Sequence, residues 1–246
     1  MNTRDSSHPW SKDKIKCVVL CGGKGTRFFP ITLHKQKAMI EVAEKPIILH
    51  IIEYWRRYAN DFVFVVHHKK DELMDYVKSL PISAEFVEIE NVNGIAQGLS
   101  HARHILPDNF IVTLGDCITG GSFDFPDNFD FGVGIWQTDD HYHIKSSYSV
   151  ELEGELVKKV VEKPKEIINN FCGMGSYFFN KKIFDYIDKT PPSVLRNQIE
   201  ITDAIQLAID NGEKITGIKF NGRYININNA DDLEMAERIF KETDNF

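Results

Sequence analysis

Val18-Val19-Leu20-Cys21-Gly22-Gly23-Lys24-Gly25-Thr26-Arg27 joins a short apolar segment directly to a glycine-rich loop that ends in a cation. Glycines lack side chains, so consecutive backbone N–H groups can converge on an anion, and Thr26 and Arg27 add a hydroxyl and a planar charged fork. The spacing Gly-Gly-x-Gly-Thr-Arg fits neither the P-loop pattern nor the dinucleotide-binding pattern. The stretch therefore predicts a strand that ends in a phosphate-binding loop, with a polyphosphate as the expected ligand.

Strand and helix patterns alternate along the first half of the chain, outward from this loop. We predict strands over 16–21, 62–67, 84–89 and 110–114, and helices over 47–58, 71–80 and 95–106. Repeated β-α units imply an α/β protein with a mostly parallel, Rossmann-like sheet and helices on both faces. Ligands of such sheets bind at the carboxyl ends of the strands, where the glycine-rich loop, Gly94 and Asp116 all fall.

The second half of the chain is less regular and richer in strand patterns. Residues 119–130 are rich in Gly, Asp, Phe and Pro, and we interpret them as a surface excursion. The expected strands are 131–137, 147–152, 156–162, 176–180, 215–220 and 224–227, and the expected helices are 200–211 and 231–242. Glu153-Gly154-Glu155 should join two of these strands into a β-hairpin. This half predicts a smaller, β-rich part of the protein.

Composition restricts the class of protein. The chain has 246 residues, of which 42% are apolar, and this suits a globular α/β domain. Its net charge of −7 argues against nucleic acid as a partner, because backbone binding needs a basic face. Without a long apolar run or the apolar core of a secretion signal, we expect no membrane partner and a cytoplasmic location. The four cysteines lack metal or redox spacing and are expected to be reduced and structural.

The residues after the glycine-rich loop carry a more specific signal. Lys35-Gln36-Lys37 comes next, and Lys45-Pro46 then opens a helix. In this order the segments resemble the N-terminal signature of the sugar-phosphate nucleotidyltransferases, which reads Gly-Gly-x-Gly-Thr-Arg-Leu, then Pro-Lys, then Lys-Pro. Phe28 stands in place of the leucine, and Gln36 stands in place of the proline. Parts of the chain resemble the glucose-1-phosphate thymidylyltransferase and N-acetylglucosamine-1-phosphate uridylyltransferase types.

The resemblance covers roughly residues 15 to 240 and implies a GT-A-like nucleotidyltransferase fold. It implies an enzyme that joins an NTP to a sugar 1-phosphate with Mg²⁺ and releases pyrophosphate. We expect a flexible lead over 1–14 and a single domain over 15–246. Within it, an NTP-binding part at about 15–118 precedes an acceptor-binding part at about 119–240.

Nucleotide binding is implied for residues of three motifs. Asn93-Gly94-Ile95-Ala96-Gln97-Gly98 resembles the family segment that opens a helix under the base, and Gly115 lies next to the expected metal ligand. In catalysis, Arg27 and Lys37 would stabilise charge on the triphosphate and on the leaving pyrophosphate. The implied nucleotide-binding residues are Leu20, Gly22, Gly23, Gly25, Thr26, Arg27, Lys37, Gly94, Gln97 and Gly115.

Metal binding is implied for Asp116 and for an asparagine near the C-terminus. Many relatives have Trp-x-Asp-x-Gly-Thr and use its aspartate as the second ligand, whereas this chain has Tyr224-Ile225-Asn226-Ile227-Asn228-Asn229. The branch that forms UDP-N-acetylglucosamine has Val-Asn-Asn followed by a leucine, and Leu233 stands at the corresponding distance here. On this resemblance Asn228 is the first candidate for the second ligand, and Asn226 is the second candidate.

Acceptor binding is implied for a third set of residues. Glu162-Lys163-Pro164 resembles the family Glu-Lys-Pro, in which the glutamate binds sugar hydroxyls and the lysine, a catalytic residue here, holds the sugar phosphate. Ser149 replaces a glycine that many relatives place against the sugar. The implied acceptor-binding residues are Tyr148, Ser149, Glu162, Lys163, Gly173 and Gly175.

Two alternatives stay open at the sequence level. The chain could be a cytidylyltransferase that acts on a non-sugar phosphorylated acceptor, since Ser149 and the missing aspartate depart from the family pattern. It could also be a catalytically weak, regulatory protein that binds nucleotide-sugars. The base, the acceptor and a homo-oligomeric state are not fixed by the sequence.

Overall fold

A computed structural model describes residues 8–91, 93–194 and 197–242 of the chain. The strands are, in chain order, β1 Lys16–Cys21, β2 Glu41–Val42, β3 Lys45–Pro46, β4 Asp61–Val66, β5 Ser83–Glu88, β6 Asn109–Leu114, β7 Cys117–Asp124, β8 Phe131–Gln137, β9 Tyr148–Glu153, β10 Leu156–Glu162, β11 Phe171–Asn180 and β12 Ile215–Asn226. The α-helices are α1 Ile47–Trp55, α2 Lys70–Lys78, α3 Ile95–Ser100, α4 His141–Ser146, α5 Ile183–Ile187, α6 Ile201–Asp210 and α7 Ala230–Lys241. Among the described helices, none has the length and apolar character that spanning a bilayer requires.

These elements form two compact units, each built from separate stretches of the chain. The first unit contains the described residues up to 91 together with 113–121 and the chain from 222 onward. The second contains the described residues of 93–112 and 122–221. This division differs from the single boundary predicted near residue 118, because a boundary inferred along the chain cannot detect a segment that returns to an earlier unit.

The predicted N-terminal lead is described only in part. Residues 1–7 lie outside the described residues. Residues 8–14 form turns in which Ser11 N donates to His8 O over 3.0 Å and Lys14 N donates to Ser11 O over 2.9 Å. Trp10 and Ser11 are buried. The polar composition of this segment therefore does not reveal that Trp10 and Ser11 are buried.

The first unit contains, in full, three of the four strands that the sequence predicts for the parallel part of the sheet. β5, β4 and β1 lie in that order, with Lys16 opposite Asp61 and Asp61 opposite Ser83. Every residue of β4 after Asp61 is buried, as is typical of a central strand in a parallel sheet. β1 ends at Cys21, so the glycine-rich loop begins at the carboxyl edge of this sheet.

A short hairpin in the same unit is held by α1 and α7. Its strands, β2 and β3, pair antiparallel. The backbone N–H of Ala43 in the turn donates to Glu237 Oε1 of α7 over 2.9 Å. His50 of α1 donates from Nε2 to Val42 O over 2.8 Å, and its ring centroid lies 4.8 Å from that of Phe240. His50 thus joins three elements of the unit.

His50 gives the stability of the protein a pH dependence. Burial lowers the pKa of His50 from its ordinary value of 6.5, Lys45 acts in the same direction, and the Val42 carbonyl, Glu53 and Glu237 oppose it. The stability from neutral His50 is complete above about pH 6.5 and is lost as the pH falls through the lowered pKa. We predict that His50→Gln, which keeps a donor for Val42 O, loses less unfolding free energy than wild type between pH 7.5 and 5. Urea denaturation at both pH values measures the difference, and parallel losses would contradict the prediction.

The second unit is a mixed sheet whose pairings close on themselves. β11 pairs with β8, β8 with β12, β12 with β10 and β10 with β9, and β9 pairs back to β11. Of these five pairings among described residues, β8–β12 is parallel and the other four are antiparallel. The α/β class is confirmed, but the prediction of a mostly parallel sheet does not extend to this unit. The predicted hairpin is present as β9 and β10, with Gly154 at a φ of +62° in the turn.

The structure corrects several predicted elements. The surface excursion over 119–130 was wrong in its first part, because β7 runs through residue 124 and buries Phe123. The two strands predicted at 215–220 and 224–227 are one strand, β12, which continues through the turn-like residues Asn221-Gly222-Arg223. Helices α4 and α5 were not predicted, because they are too short to show a helical period in the sequence.

Candidate active site

The glycine-rich loop is held from one side and open on the other. Gly25 has a φ of +59°, and a Cβ there would lie 3.0 Å from Thr32 Cγ2. Thr32 Oγ1 donates to Gly25 O over 2.7 Å, and His68 Nε2 in turn bonds Thr32 O over 3.0 Å. A Cβ on Gly23 would have nothing within 4 Å. The loop therefore keeps a fixed conformation while Gly23 leaves room for a ligand to approach its backbone.

Lys37 and Asp116 form the charged pair of the site. Lys37 begins a 3₁₀ turn, and its Nζ lies 2.6 Å from Asp116 Oδ2. The two side chains are 13% and 26% exposed, so the pair is partly withdrawn from water but can still be reached. The Lys37 Nζ also lies 5.5 Å from the centroid of the Phe28 ring. Two residues predicted for different roles thus lie in direct contact.

Gly115 brings Asp116 to the end of β1. Its backbone N–H donates to Leu20 O over 3.0 Å. A Cβ on Gly115 would lie 2.7 Å from Cys21 Sγ and 2.9 Å from Leu20 O, which are distances that real Cβ atoms do not adopt. Glycine is therefore required here for the close approach of two backbones, and the role of Gly115 in nucleotide binding stays a prediction.

The two candidate asparagines have different surroundings. Among the described residues, Asn226 Oδ1 is buried and accepts no hydrogen bond. Asn228 Oδ1 lies 3.5 Å from Arg27 Nη1, and its Nδ2 donates to Asn226 O over 3.2 Å. Ile227 N, next to Asn226, donates to Asp116 O over 2.9 Å. The residue after Asn226 is thus hydrogen bonded to the backbone of Asp116, and Asn226 itself carries a buried amide oxygen without a donor among the described residues.

The loop that carries these asparagines is fixed by the start of α7. Asn229 Oδ1 accepts from Asp232 N over 3.0 Å, and Asp232 Oδ2 accepts from Asn228 N over 2.7 Å. These two bonds satisfy donors at the start of the helix in a variant of the capping box, in which Asp232 accepts from the residue before the cap residue Asn229. Asp232 is only 4% exposed, so this carboxylate has a structural function.

The second unit holds the residues predicted to contact the base. Gly94 precedes α3 with a φ of +102°, and a Cβ on it would lie 2.5 Å from Ile199 O. Gln97 lies in the first turn of α3. Among the described residues, its Oε1 is buried and accepts no hydrogen bond. Gly94 is thus needed for backbone approach, and Gln97 keeps an acceptor that a ligand could use.

The second unit also holds Glu162 and Lys163. Thr202 of α6 donates to Glu162 Oε2 over 3.2 Å. Lys163 has a φ of +45°, which is uncommon for a residue with a side chain, and its N–H donates to Ser147 O over 2.8 Å. Strained backbone of this kind persists where the surroundings enforce it and is enriched at functional sites.

Other predicted acceptor residues are packed inside the second unit. Tyr148 is 2% exposed and donates from its hydroxyl to Met174 O over 3.1 Å. A Cβ on Gly173 would overlap the Tyr148 ring, so Gly173 makes room for that ring. Ser149 is 3% exposed, and Gly175 lies in the buried part of β11. Glu162 and Lys163 are therefore more exposed to solvent than these four residues.

The four cysteines, which were predicted to be reduced and structural, are free and buried. Burial raises the pKa of Cys21 and, with Asp116 acting in the same direction, that of Cys117. It raises the pKa of Cys172 to about 12. Since the thiolate is the reactive form, these residues are unsuited to nucleophilic catalysis.

Thr32 and Gln36 contact the glycine-rich loop and the end of β1, but neither was predicted as a site residue. Gln36 is 2% exposed, donates to Cys21 O over 2.8 Å and accepts a hydrogen bond from Ala38 N. It was noticed only as a departure from the family pattern. A hydroxyl or amide side chain within ten residues of a glycine-rich loop was the available signal, but that signal is weak without coordinates.

Comparison with known proteins gives consistent matches. Residues 16–241 match the family model described as nucleotidyl transferase. The bifunctional protein GlmU of Methanococcus maripaludis (strain C7) is 33% identical over 230 residues, which cover 92% of this chain and 54% of GlmU. The UTP–glucose-1-phosphate uridylyltransferase AglF of Haloferax volcanii is 30% identical over 241 residues, covering 93% of this chain and 97% of AglF. The chain thus spans about half the length of the GlmU proteins.

Solved structures show the same fold. A UDP-glucose pyrophosphorylase complexed with UDP-glucose has a TM-score of 0.80 at 23% identity and covers 93% of this chain and 98% of its own. The inositol-1-phosphate CTP transferase from T. maritima has a TM-score of 0.78 at 18% identity and covers 94% and 98%. At these identities the likeness concerns the fold alone.

Proposed function

Because the chain belongs to the nucleotidyl transferase family, whose model matches residues 16–241, we propose that it joins an NTP to a sugar 1-phosphate and releases pyrophosphate. The observation that carries this proposal is the 2.6 Å contact between Lys37 and Asp116 in the unit that holds the glycine-rich loop. A cation and a hard anionic ligand beside a phosphate-binding loop supply the charge neutralisation that nucleotidyl transfer needs. The name of the relative AglF, a UTP–glucose-1-phosphate uridylyltransferase, supports the same reaction.

The proposed reaction is a single in-line displacement. An oxygen of the sugar phosphate attacks the α-phosphorus of the NTP, the bond from that phosphorus to the bridging oxygen breaks, and pyrophosphate leaves. No general base is needed, since a phosphate monoester with a second pKa near 6 is largely ionised at pH 7. Lys37 and Arg27 offset the charge of the triphosphate and of the leaving pyrophosphate. Lys163 and Glu162 bind the phosphate and the hydroxyls of the acceptor.

The residues of the first unit fit a bound Mg²⁺. Magnesium prefers hard oxygen ligands, and Asp116 supplies a carboxylate while Asn226 supplies a buried amide oxygen that accepts no bond among the described residues. A carboxylate has enough lone pairs to keep Lys37 on Oδ2 and still accept a cation. Asp116 and Asn226 would hold the Mg²⁺, which would supply charge neutralisation for the phosphates. On this ground Asn226 replaces Asn228 as our first candidate for the second ligand.

The two asparagines can be separated by substitution. We predict that Asn226→Leu weakens Mg²⁺ binding by roughly tenfold or more, because a metal ligand is lost. Asn228→Leu should weaken it less than about threefold, since Asn228 Oδ1 is already directed at Arg27. Calorimetric titration of each variant with Mg²⁺ in the presence of a nonhydrolysable NTP gives the comparison. Equal losses, or a larger loss in Asn228→Leu, would return the ligand role to Asn228.

We propose UTP as the nucleotide. Support comes from the relative AglF, whose name specifies UTP. Gln97 and Gly94 are the residues proposed to read the base, since Gln97 Oε1 is buried without a protein donor among the described residues.

We also propose a cytoplasmic location, for which the four free thiols give support because disulfides are rare in reducing compartments.

The proposed function is tested by measuring pyrophosphate release. Each of the four common NTPs and dTTP is combined with Mg²⁺ and with glucose 1-phosphate, N-acetylglucosamine 1-phosphate or inositol 1-phosphate, and products are identified by mass spectrometry. We expect release with UTP and one of the two sugar phosphates. Turnover with CTP and inositol phosphate would favour the cytidylyltransferase alternative. Nucleotide binding without release for any pair would favour the regulatory alternative.

A further inference from the structure

Gln36 connects two parts of the first unit that both serve the proposed reaction. Its Nε2 donates to the carbonyl of Cys21, the last residue of β1, over 2.8 Å. Its Oε1 accepts from the backbone N–H of Ala38, which directly follows Lys37. The side chain therefore bridges the start of the glycine-rich loop and the turn that carries Lys37.

The burial of Gln36 makes this bridge more than a surface contact. Gln36 is 2% exposed, and a buried primary amide is stable only when its polar atoms are bonded. The acceptor bond to Ala38 caps the 3₁₀ turn Lys37–Met39. Its φ of −69° lies within the range to which a proline ring would fix the backbone. Two hydrogen bonds thus hold this position in the conformation that a proline would favour.

We propose that Gln36 is a positioning residue, which holds the Lys37 ammonium at the site by tying its turn to the end of β1. The inference rests on the proposed function of Lys37 as the group that neutralises pyrophosphate. Lys37 is also in close contact with the loop itself, since a Cβ on Gly25 would lie 3.3 Å from Lys37 Cβ. A shift of the turn would therefore move Lys37 relative to both the loop and Asp116.

The test compares Gln36→Met with Lys37→Ala and with the double variant. Methionine keeps the length of glutamine and removes both hydrogen bonds. We expect Gln36→Met to raise the Kd for Mg²⁺-pyrophosphate, measured by calorimetry, about tenfold and to lower kcat by a similar factor, with KM for the acceptor unchanged. In the Lys37→Ala background, Gln36→Met should change the pyrophosphate Kd less than twofold, because a residue that acts through Lys37 has no effect once Lys37 is gone.

Asn169 provides a matched control. Its Nδ2 donates to Val150 O over 2.9 Å, and its Oδ1 accepts from Phe171 N over 3.0 Å, two residues along the chain. This repeats the bonding pattern of Gln36 in the second unit. We expect Asn169→Leu to lower the thermal unfolding midpoint without changing the pyrophosphate Kd. If Gln36→Met does not fold, Gln36→Glu, which keeps the acceptor for Ala38 N but removes the donor to Cys21 O, replaces it in the cycle.

The outcomes separate the two proposals. Additive effects of the Gln36 and Lys37 substitutions, or an unchanged pyrophosphate Kd in folded Gln36→Met, would overturn the positioning role. Non-additive loss of pyrophosphate binding in a protein that releases no pyrophosphate from any NTP would support Gln36 and overturn the proposed function instead.

Discussion

Replacing Lys37 with alanine should lower kcat for pyrophosphate release by about 10²- to 10³-fold, the usual loss when one preorganised group for transition-state charge is removed. The Lys37 Nζ lies 2.6 Å from Asp116 and is only partly exposed, so its charge is poorly screened by water. Charge on the leaving pyrophosphate grows during the displacement, and KM for the NTP should therefore change much less than kcat. Steady-state kinetics with UTP measures both constants.

Lys35 is the matched control for this substitution. It lies two residues away, carries the same charge, and makes long surface ion pairs of 4.0 Å with Glu41 and 3.9 Å with Glu72. Such exposed pairs contribute little to stability. We expect Lys35→Ala to keep kcat within about twofold of wild type. Full turnover in Lys37→Ala, or an equal loss in both variants, would remove Lys37 from the mechanism.

Asp116→Asn should have the second large effect. Asparagine keeps the shape of the side chain but removes the charge that would hold Mg²⁺ and that now faces Lys37. Loss of metal stabilisation is worth several kcal/mol, which corresponds to a fall in kcat of about 10³-fold. Binding of Mn²⁺, followed by electron paramagnetic resonance, should weaken in parallel and gives a readout independent of turnover.

Asp124→Asn serves as the control for Asp116→Asn. Asp124 accepts a 2.6 Å hydrogen bond from Asn221 Nδ2 on an exposed surface of the second unit. The substitution removes the same charge without touching the glycine-rich loop. Metal binding that stays at the wild-type level in Asp116→Asn would exclude this aspartate as a ligand, whatever the change in kcat.

Local sequence pattern was sufficient for the elements with the strongest periodicity. The bounds predicted for β1, β8 and β10 are those of the structure, because each strand is an apolar or alternating run between clear turn residues. β12 was divided in the prediction, since Asn221-Gly222-Arg223 has the composition of a turn. Pairing with neighbouring strands overrides that local preference, and pairing is not visible in one sequence.

Site residues that belong to a sequence motif could be predicted, whereas residues whose role depends on contacts in the folded structure could not. Lys37 and Asp116 were proposed from motifs far apart in the sequence, and the structure brings them into contact. Sequence spacing could not decide whether Asn228 or Asn226 is the better candidate for the second metal ligand, since that choice depends on which amide oxygen is buried without a donor. Gln36 was missed for a similar reason, because its partner at Cys21 is fifteen residues away.

The hydroxyl that fixes Gly25 has a consequence for protein engineering. Thr32 lies outside the Gly-Gly-x-Gly-Thr-Arg motif, and its own carbonyl is bonded by His68 after β4. Residues 22–27 transplanted alone into another scaffold would leave both supports behind. The motif thus does not carry its own supporting contacts, and a graft would also have to include Thr32 and a donor equivalent to His68.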